Sequence, residues 1–305
     1  MKLLVNGIDI IDDVNLLEAV YEDYATASSS RLYLKFDDAD SLWQNWRLKR
    51  NDEISIVDAQ CNTGALYINQ VTYSRGLCNL FVKSIPSIAP TVQHSTFENV
   101  KLSKFVKETA KEFGFDFDLK NMTDQLYNSI SLNNDSYFSK LKELCTLEGI
   151  GIVFYNKTII LFDENKIENM GSTGDLIVEA DNEFSISDNA HMIYGQCIVQ
   201  NADLTGKFKA NNGSSDILFY DKKTPASSTV EANRFAKGLL RAANKTAKIG
   251  TVTTELKTEF SAGSVVNLIN NKAQSYNDKV YIYKCRHDFI RNKSKIFFRY
   301  AIEGY

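Results

Sequence analysis

The fold is decided by residues 134–163, which have the sequence NDSYFSKLKELCTLEGIGIVFYNKTIILFD. Five apolar residues of its first half recur at helical spacing: Tyr137, Phe138, Leu141, Leu144 and Cys145. This spacing predicts an amphipathic helix. Asn134 or Asp135 is expected to cap the helix start, because a short side-chain oxygen accepts hydrogen bonds from first-turn N–H groups. Gly149 is expected to end the helix, since glycine adopts the left-handed conformation without a Cβ clash.

The second half of this stretch predicts a β-hairpin. The apolar runs GIGIVFY and TIILFD have strand-like lengths and are separated by Asn156 and Lys157. Asparagine tolerates the positive φ that a tight hairpin turn requires. No catalytic group is concentrated here, so the stretch predicts a structural unit and not an active site.

Residues 91–174 are expected to form one α+β module around this helix and hairpin. Upstream, the run LSKFVKETAKEFG has an apolar stripe at helical spacing and ends at Gly114, which predicts a second amphipathic helix. Downstream, the run NKIENMGSTGD loses the apolar pattern. We therefore place the end of the module between Gly171 and Gly174.

Residues 1–90 predict a β-rich first domain. Several short segments alternate or run apolar over strand-like lengths, and Asp, Asn, Gly and Ser separate them. Strands at such spacing favour a small barrel or sandwich. Pro86 and Pro90 mark the domain border, because proline cannot continue a sheet ladder.

Residues 175–305 predict a second β domain with one helix. Ser228 and Glu231 form a capping-box pair at the start of that helix, and strand-like runs follow it. Residues 201–215 are polar and contain glycine, which predicts a long mobile loop. The predicted fold class is therefore α+β and mainly β.

The composition is that of an ordinary globular protein. Of 305 residues, 44% are apolar and 24% are charged, and 35 basic side chains against 38 acidic ones give a net charge of −3. This balance gives no electrostatic case for specific nucleic-acid binding. The first ten residues are too short an apolar run for a signal peptide, and no window approaches the ~20 apolar residues of a membrane span. We expect the protein to stay in the cytoplasm until assembly or lysis.

Residue types that usually form catalytic or metal sites are scattered along the chain. The five cysteines are far apart: Cys61, Cys78, Cys145, Cys197 and Cys285. They predict neither a disulfide framework nor a metal site. The three histidines form no i,i+4 ligand pair: His94, His191 and His287. Asp37, Asp38 and Asp40 lack the glycine and distal glutamate of a calcium loop, so a solvated turn is the preferred interpretation. We expect no catalytic, cofactor or metal site.

Trp43, Trp46 and Arg47 form the one local cluster that favours a contact role. Their spacing puts both tryptophans on one side of a helical turn, beside basic residues. Three interpretations remain open from these residues. They are a plug at the end of a barrel, a subunit interface, and a platform on which sugars or bases stack.

The helix–hairpin stretch resembles an element of the late-control D family of phage tail proteins. The positions that match the family pattern are Asn134, Ser136, Phe138, Leu141, Leu144 and Gly149. Five further segments follow the family in order: DADSLWQNWRLKRNDEISI, GALYINQVTY, LSKFVKETAKEFGFDF, VEANRFAKGLLRAA and SAGSVVNL. The family comprises baseplate hubs of contractile tails. It is related to the N-terminal part of valine-glycine-repeat G spike proteins.

The resemblance implies two small β-barrel domains flanking the module, and a homotrimer. Three chains would then form a ring of six barrels that adapts a sixfold tail tube to a threefold spike. The implied partners are the tail tube protein, the central spike protein and baseplate wedge proteins, within a virion or tail-like particle. No enzymatic activity is implied, and the tryptophans are favoured as plug or interface. Two other functions stay open from the residues: a peptidoglycan- or glycan-binding module that positions a lytic enzyme, and an enzyme with dispersed carboxylates.

Overall fold

The computed structural model describes residues 1–58, 60–89, 91–201, 203–222 and 224–305. Within these ranges the chain is mainly β, as the sequence predicts. The described strands form one sheet of 14 strands and three smaller sheets of three, two and three strands. Pro90, which shares the predicted domain border with Pro86, lies outside the described residues.

The described part of the first segment contributes eight strands and one short α-helix. The elements are β1 (Lys2–Val5), β2 (Ile8–Asp9), β3 (Asn15–Tyr24), β4 (Arg31–Asp37), α1 (Leu42–Trp46), β5 (Glu53–Asp58), β6 (Cys61–Asn62), β7 (Leu66–Ser74) and β8 (Leu77–Lys83). The β1–β2 hairpin turns at Asn6-Gly7, where φ is 49° and 85°, as a tight turn requires. Inward-facing side chains of these strands form one hydrophobic core with Trp43 of α1.

The middle segment contains the predicted helix and hairpin. The elements are β9 (Gln93–Lys101), α2 (Leu102–Glu112), β10 (Asp116–Lys120), β11 (Leu126–Asp135), α3 (Tyr137–Glu148), β12 (Ile150–Tyr155), β13 (Thr158–Asp163) and α4 (Glu164–Asn169). Strands β12 and β13 pair antiparallel, and the turn residues Asn156 and Lys157 have φ of 45° and 60°. Both sequence predictions, the helix α3 and the hairpin, are confirmed.

The cap of α3 differs from the prediction. Strand β11 continues to Asp135, so Asn134 and Asp135 belong to the sheet and Ser136 caps the helix. The Oγ of Ser136 accepts a hydrogen bond from the backbone N–H of Ser139 at 3.2 Å. Gly149 ends the helix with φ of 66°, as predicted.

The described part of the last segment contains nine strands and one α-helix. They are β14 (Asp175–Val178), β15 (Glu183–Asp188), β16 (Gln196–Asn201), β17 (Leu204–Lys209), β18 (Ile217–Tyr220), α5 (Thr229–Asn244), β19 (Lys248–Glu255), β20 (Val265–Asn270), β21 (Asp278–Asp288) and β22 (Lys293–Tyr300). The predicted loop at 201–215 is wrong in part, because β17 lies within it and pairs with β16. The sequence does not predict β17, because its exposed side chains are polar like those of a loop. Gly206 and Phe208 point toward the protein interior.

The expected pair of separate barrels is not confirmed. Among the described residues the large sheet has the open order β15-β19-β22-β21-β3-β4-β8-β7-β5-β1-β2, with β14, β20 and β6 paired off this path. Strand β21 pairs antiparallel with β3, so strands from the two ends of the chain share one sheet. A pairing between residues so far apart in sequence leaves no local signal.

Helix α5 lies between strand β17 and helix α3, and two glycines permit this close packing. A Cβ on Gly206 would lie 2.2 Å from the Ala232 carbonyl carbon, and one on Gly238 would lie 2.1 Å from the Leu147 carbonyl oxygen. Both distances are shorter than any real Cβ contact. The apolar face of α5 therefore joins the same core as α2 and α3, although α5 is in the last third of the sequence.

Candidate functional site

The tryptophan pair of α1 divides between the core and the surface. Trp43 is 1% exposed, and its ring centroid lies 4.1 Å from that of Phe36 inside the N-terminal core. Trp46 is 40% exposed, with its ring 5.0 Å from Trp43, and Arg47 is exposed beside it. The structure thus separates the two tryptophans, one facing inward and one available for contact.

Asp38 of the acidic cluster holds this short helix. It is 4% exposed, and its Oδ1 accepts a hydrogen bond from the Trp43 N–H at 2.9 Å. The neighbouring residues Asp37 and Asp40 are exposed. The burial of Asp38 therefore has a structural explanation in the first turn of α1.

The apolar residues of α3 that match the family pattern lie in the hydrophobic core of the middle segment. Phe138, Leu141 and Leu144 are at most 3% exposed, whereas Asn134 is exposed in the left-handed conformation, with φ of 61°. Aromatic contacts surround the helix start, with the Phe138 ring 4.8 Å from Phe113. These positions support packing of α3 and offer no reactive group to a ligand.

A buried ionic cluster joins α4, α5 and β22, and sequence reasoning missed it. Its members are Glu164, Glu168, Arg241, Lys245 and Arg299. Arg241 Nη2 lies 2.5 Å from Glu168 Oε1, and Arg299 is in ion-pair contact with the same carboxylate. Both glutamates and both arginines are only 2–3% exposed. The cluster ties the middle segment to the last segment of the chain.

The positive charges within this ionic cluster offset the effect of burial on the pKa of Glu164. Burial alone would raise the pKa of Glu164, but the nearby charges of Lys245, Arg299 and Arg241 outweigh it and hold the pKa below its usual 4.5. Lys245 Nζ lies 2.7 Å from Glu164 Oε2. Glu164 is therefore ionised at neutral pH.

Two sequence signals could have shown helix α4. The Asp163 side chain accepts hydrogen bonds from two first-turn N–H groups, and Glu164 and Glu168 have i,i+4 spacing.

A second ion pair connects α3 with α5. Arg234 Nε donates to both oxygens of Glu148, at 2.9 and 2.7 Å, and the Tyr127 hydroxyl donates to Glu148 Oε1 at 2.5 Å. The side chain of Glu148 is 2% exposed. Arg234 and Tyr127 both donate hydrogen bonds to Glu148 and so compensate its buried charge. The buried carboxylate therefore has a structural role.

One cleft brings a cysteine, a histidine and an aspartate to the same surface region. The cleft has a volume of about 390 Å³ and is lined in part by Asp23, Cys61 and His287. Burial, followed by the charges of Asp23 and Asp58, raises the pKa of Cys61 to about 11. Cys61 is therefore a thiol at neutral pH and a poor nucleophile.

His287 in this cleft is held by two hydrogen bonds. Its Nδ1 lies 2.8 Å from Ser294 Oγ, and its Nε2 lies 3.2 Å from the Phe260 carbonyl oxygen. Burial is the main cause that lowers its pKa below 6.5. A neutral ring that donates from Nε2 and accepts at Nδ1 satisfies both contacts, which assigns His287 a structural role.

Neither a membrane-spanning helix nor a metal-binding cluster occurs among the described residues. No helix among them is long and apolar enough to cross a membrane. Within the same ranges, no group of three or more His, Cys, Asp and Glu residues is arranged to hold a metal ion.

No family model matches the sequence, and no curated protein matches it significantly. The fold, in contrast, matches solved structures over almost its whole length. A 43 kDa tail protein of prophage MuSo2 from Shewanella oneidensis has a TM-score of 0.75 at 10% identity, with 98% of each chain covered. A tail protein from Neisseria meningitidis has a TM-score of 0.76 at 10% identity, covering 98% of this chain and 95% of that one.

A third similar structure comes from a secretion system. It is an Escherichia coli component of the type VI secretion system, described as structurally similar to the T4 bacteriophage tail proteins gp27 and gp5. Its TM-score is 0.64 at 11% identity, covering all of this chain and 79% of that one. The chain therefore has the fold of phage tail proteins and related secretion components. The predicted resemblance is confirmed at the level of the fold.

Proposed function

We propose that this protein is a structural component of a contractile phage tail or a phage-derived injection particle, located at the baseplate hub. The observation that carries the proposal is the match of 98% of the chain to two tail proteins, each of which is also covered almost completely. The similarity of the secretion component to the T4 tail proteins gp27 and gp5 supports a role in a tail-like particle. The order of the family-like segments in the sequence supports this assignment independently.

On this proposal the chain acts as a homotrimer that adapts symmetry. The β-rich segments 1–90 and 175–305 serve as two barrel-like units on either side of the module 91–174. Three chains then present six near-equivalent units to a sixfold tail tube and a threefold face to the central spike. Closed rings of this kind need two different complementary surfaces on each chain. Baseplate wedge proteins are the expected outer partners.

The chemistry of the described residues supports a role without catalysis. The acids and bases with the deepest burial, Glu164, Glu168, Arg241 and Arg299, engage one another. Cys61 is protonated, and His287 has both ring nitrogens in hydrogen bonds. Under this proposal the protein works through its interfaces, within a particle assembled in the bacterial cytoplasm.

Incorporation into particles tests the proposal. The gene is deleted in the producing bacterium and complemented either with the wild-type chain or with an exposed control variant, Asp118→Asn. Purified particles are then inspected by electron microscopy and mass spectrometry. We expect intact particles only after complementation, with the chain among their proteins. Intact particles in the deletion strain would contradict a structural role, and binding of the chain to peptidoglycan without incorporation would favour the glycan-binding alternative.

A further inference from the structure

One face of the large sheet carries positive charge and aromatic rings. Alternate residues of a strand share a face, so Arg31, Tyr33 and Lys35 of β4 lie beside Phe81 and Lys83 of β8. The register places Arg31 opposite Lys83 and Tyr33 opposite Phe81. Lys142 of α3 is near enough to this group for the charges of Lys83 and Arg31 to lower its pKa. We call these six residues the basic sheet face.

Three cations of this face lie over aromatic rings: Arg31 over Tyr24, Lys83 over Phe81 and Lys142 over Phe154. Among the described residues, no carboxylate lies within ion-pair distance of Arg31, Lys83 or Lys142. Glu22 lies opposite Arg31 in the β3–β4 register, but Lys284 and the Tyr24 hydroxyl already engage it, at 2.8 and 2.7 Å. The Arg31 side chain is therefore left without a counterion.

The cations of the basic sheet face also repel one another. Burial lowers the pKa of Lys142 first, and the charges of Lys83 and Arg31 lower it further. The pKa of Lys83 is lowered by burial and then by Arg31. Arg31 Nε is buried with no hydrogen-bond partner in the described part of the chain. An anionic partner would relieve this repulsion.

The shape of the basic sheet face suits a protein segment. A groove of about 400 Å³ adjoins it between β3, β4, β7 and β8. Tyr33, Lys35, Phe81 and Arg286 line the groove together with Glu18 and Glu22, whereas Arg31, Lys83 and Lys142 lie outside its lining. The Tyr33 ring is 41% exposed and lies 4.8 Å from the Phe81 ring, over which Lys83 Nζ sits at 5.1 Å. Aromatic residues and arginine are enriched at the centres of protein–protein interfaces.

The chain itself carries a complementary surface. Glu179 and Asp181 are exposed in a tight turn before β15, and Glu183 is exposed at the first position of β15; we call these three residues the acidic turn. The turn is closed by a bond from the Asn182 N–H to the Glu179 carbonyl oxygen at 3.2 Å. None of the three carboxylates forms an ion pair with a described residue of the chain.

The two surfaces are too far apart to meet within one chain. Strands β19, β22, β21 and β3 lie between β15 and β4 in the sheet. At about 4.8 Å per strand, these five steps amount to about 24 Å along the sheet, and the shorter route from β14 through β20, β21 and β3 amounts to four steps and about 19 Å. The acidic turn of one chain can reach the basic sheet face only on another copy.

We propose that the acidic turn of one copy docks on the basic sheet face of its neighbour. Because each copy uses two different surfaces, the contact is heterologous and can close a ring. This inference rests on the proposed function, since it names the surfaces through which copies of the chain would associate.

A charge-swap experiment on the full chain tests the docking. The first variant reverses the turn (Glu179→Lys, Asp181→Lys, Glu183→Lys), the second reverses part of the face (Lys83→Glu, Lys142→Glu), and the third combines both. The control reverses two exposed acids elsewhere, Asp12→Lys and Asp13→Lys. Self-association is measured by sedimentation velocity over a concentration series at low and high salt, after circular dichroism has verified folding.

Specific outcomes follow from the docking. Each single-surface reversal should lower the association constant about tenfold or more, while the combined variant should restore it and the control should leave it unchanged. Association of the wild type should weaken with salt. A wild type that stays monomeric at every concentration, or a turn reversal that leaves association unchanged, would overturn the inference. The turn variant decides the matter even if the face variant does not fold, because its three positions are exposed. A monomer that still enters particles would overturn the inference and leave the proposed function standing.

Discussion

Replacing Glu168 with glutamine removes the carboxylate that two buried guanidinium groups share. Arg241 Nη2 lies 2.5 Å from Glu168 Oε1, Arg299 contacts the same oxygen, and the Ile302 N–H donates to Oε2 at 3.3 Å. Glutamine keeps the volume and one acceptor oxygen. The substitution therefore removes the negative charge with little change in packing.

The expected cost of Glu168→Gln follows from what remains around the arginines. Glu164 would be the remaining buried carboxylate in contact with them, at 3.8 Å from Arg241 and 3.5 Å from Arg299, and it also serves Lys245. Removing one partner of a buried ion pair costs about 3–5 kcal/mol, because the other charge stays buried without compensation. Such a loss is a large part of the ~5–15 kcal/mol by which proteins of this kind are stable.

Urea unfolding followed by circular dichroism measures this change in the free energy of unfolding. The matched control is Asp118→Asn, which breaks the exposed pair of Asp118 and Lys120 at 3.6 Å. Exposed pairs contribute at most about 1 kcal/mol, so the control should stay near the wild type. If Glu168→Gln costs no more than the control, our account of the buried ionic cluster is refuted.

Three further predictions concern the core, the response to pH and catalysis. Leu141→Ala and Leu144→Ala should each cost about 2–5 kcal/mol, since both side chains are 0% exposed; unchanged melting temperatures would contradict the assigned buried face of α3. The pKa of His287 in the folded protein lies below its unfolded value near 6.5. The neutral ring therefore contributes to the free energy of unfolding above pH 6.5, and this contribution is lost as the pH falls through the folded pKa. Melting temperatures from about pH 7.5 to about pH 5.5 should therefore fall more for the wild type than for His287→Gln, and equal slopes would contradict this. The purified protein should clear no peptidoglycan in a zymogram; clearing that one Asp→Asn or Glu→Gln substitution abolishes would favour an enzyme instead.

The sequence predicts those parts of the fold in which local pattern and tertiary packing agree. Helix α3 and its hairpin follow from apolar spacing, Gly149 and the turn at Asn156, and all of these act over a few residues. The cap was misplaced by one or two positions, because β11 extends to Asp135 and only its pairing with β9 shows this. Element ends are set by such contacts more than by propensity.

The rest of the fold depends on contacts between distant residues. The β3–β21 pairing, which joins the two ends of the chain in one sheet, has no local signature. Helix α4 has a polar sequence, and its two glutamates are buried because Arg241 and Arg299 approach from the last segment. Strand β17 has a loop-like sequence, and it is the close packing of Gly206 against α5 that accounts for its glycine. Periodicity describes single elements and cannot predict such partners.

Cryo-electron microscopy of purified particles tests the proposed hub most directly. We predict density for three copies of the chain in a closed ring on the particle axis, between the sixfold tail tube and the threefold spike. Absence of the chain from the particle, or its location away from the axis in another copy number, would contradict the account.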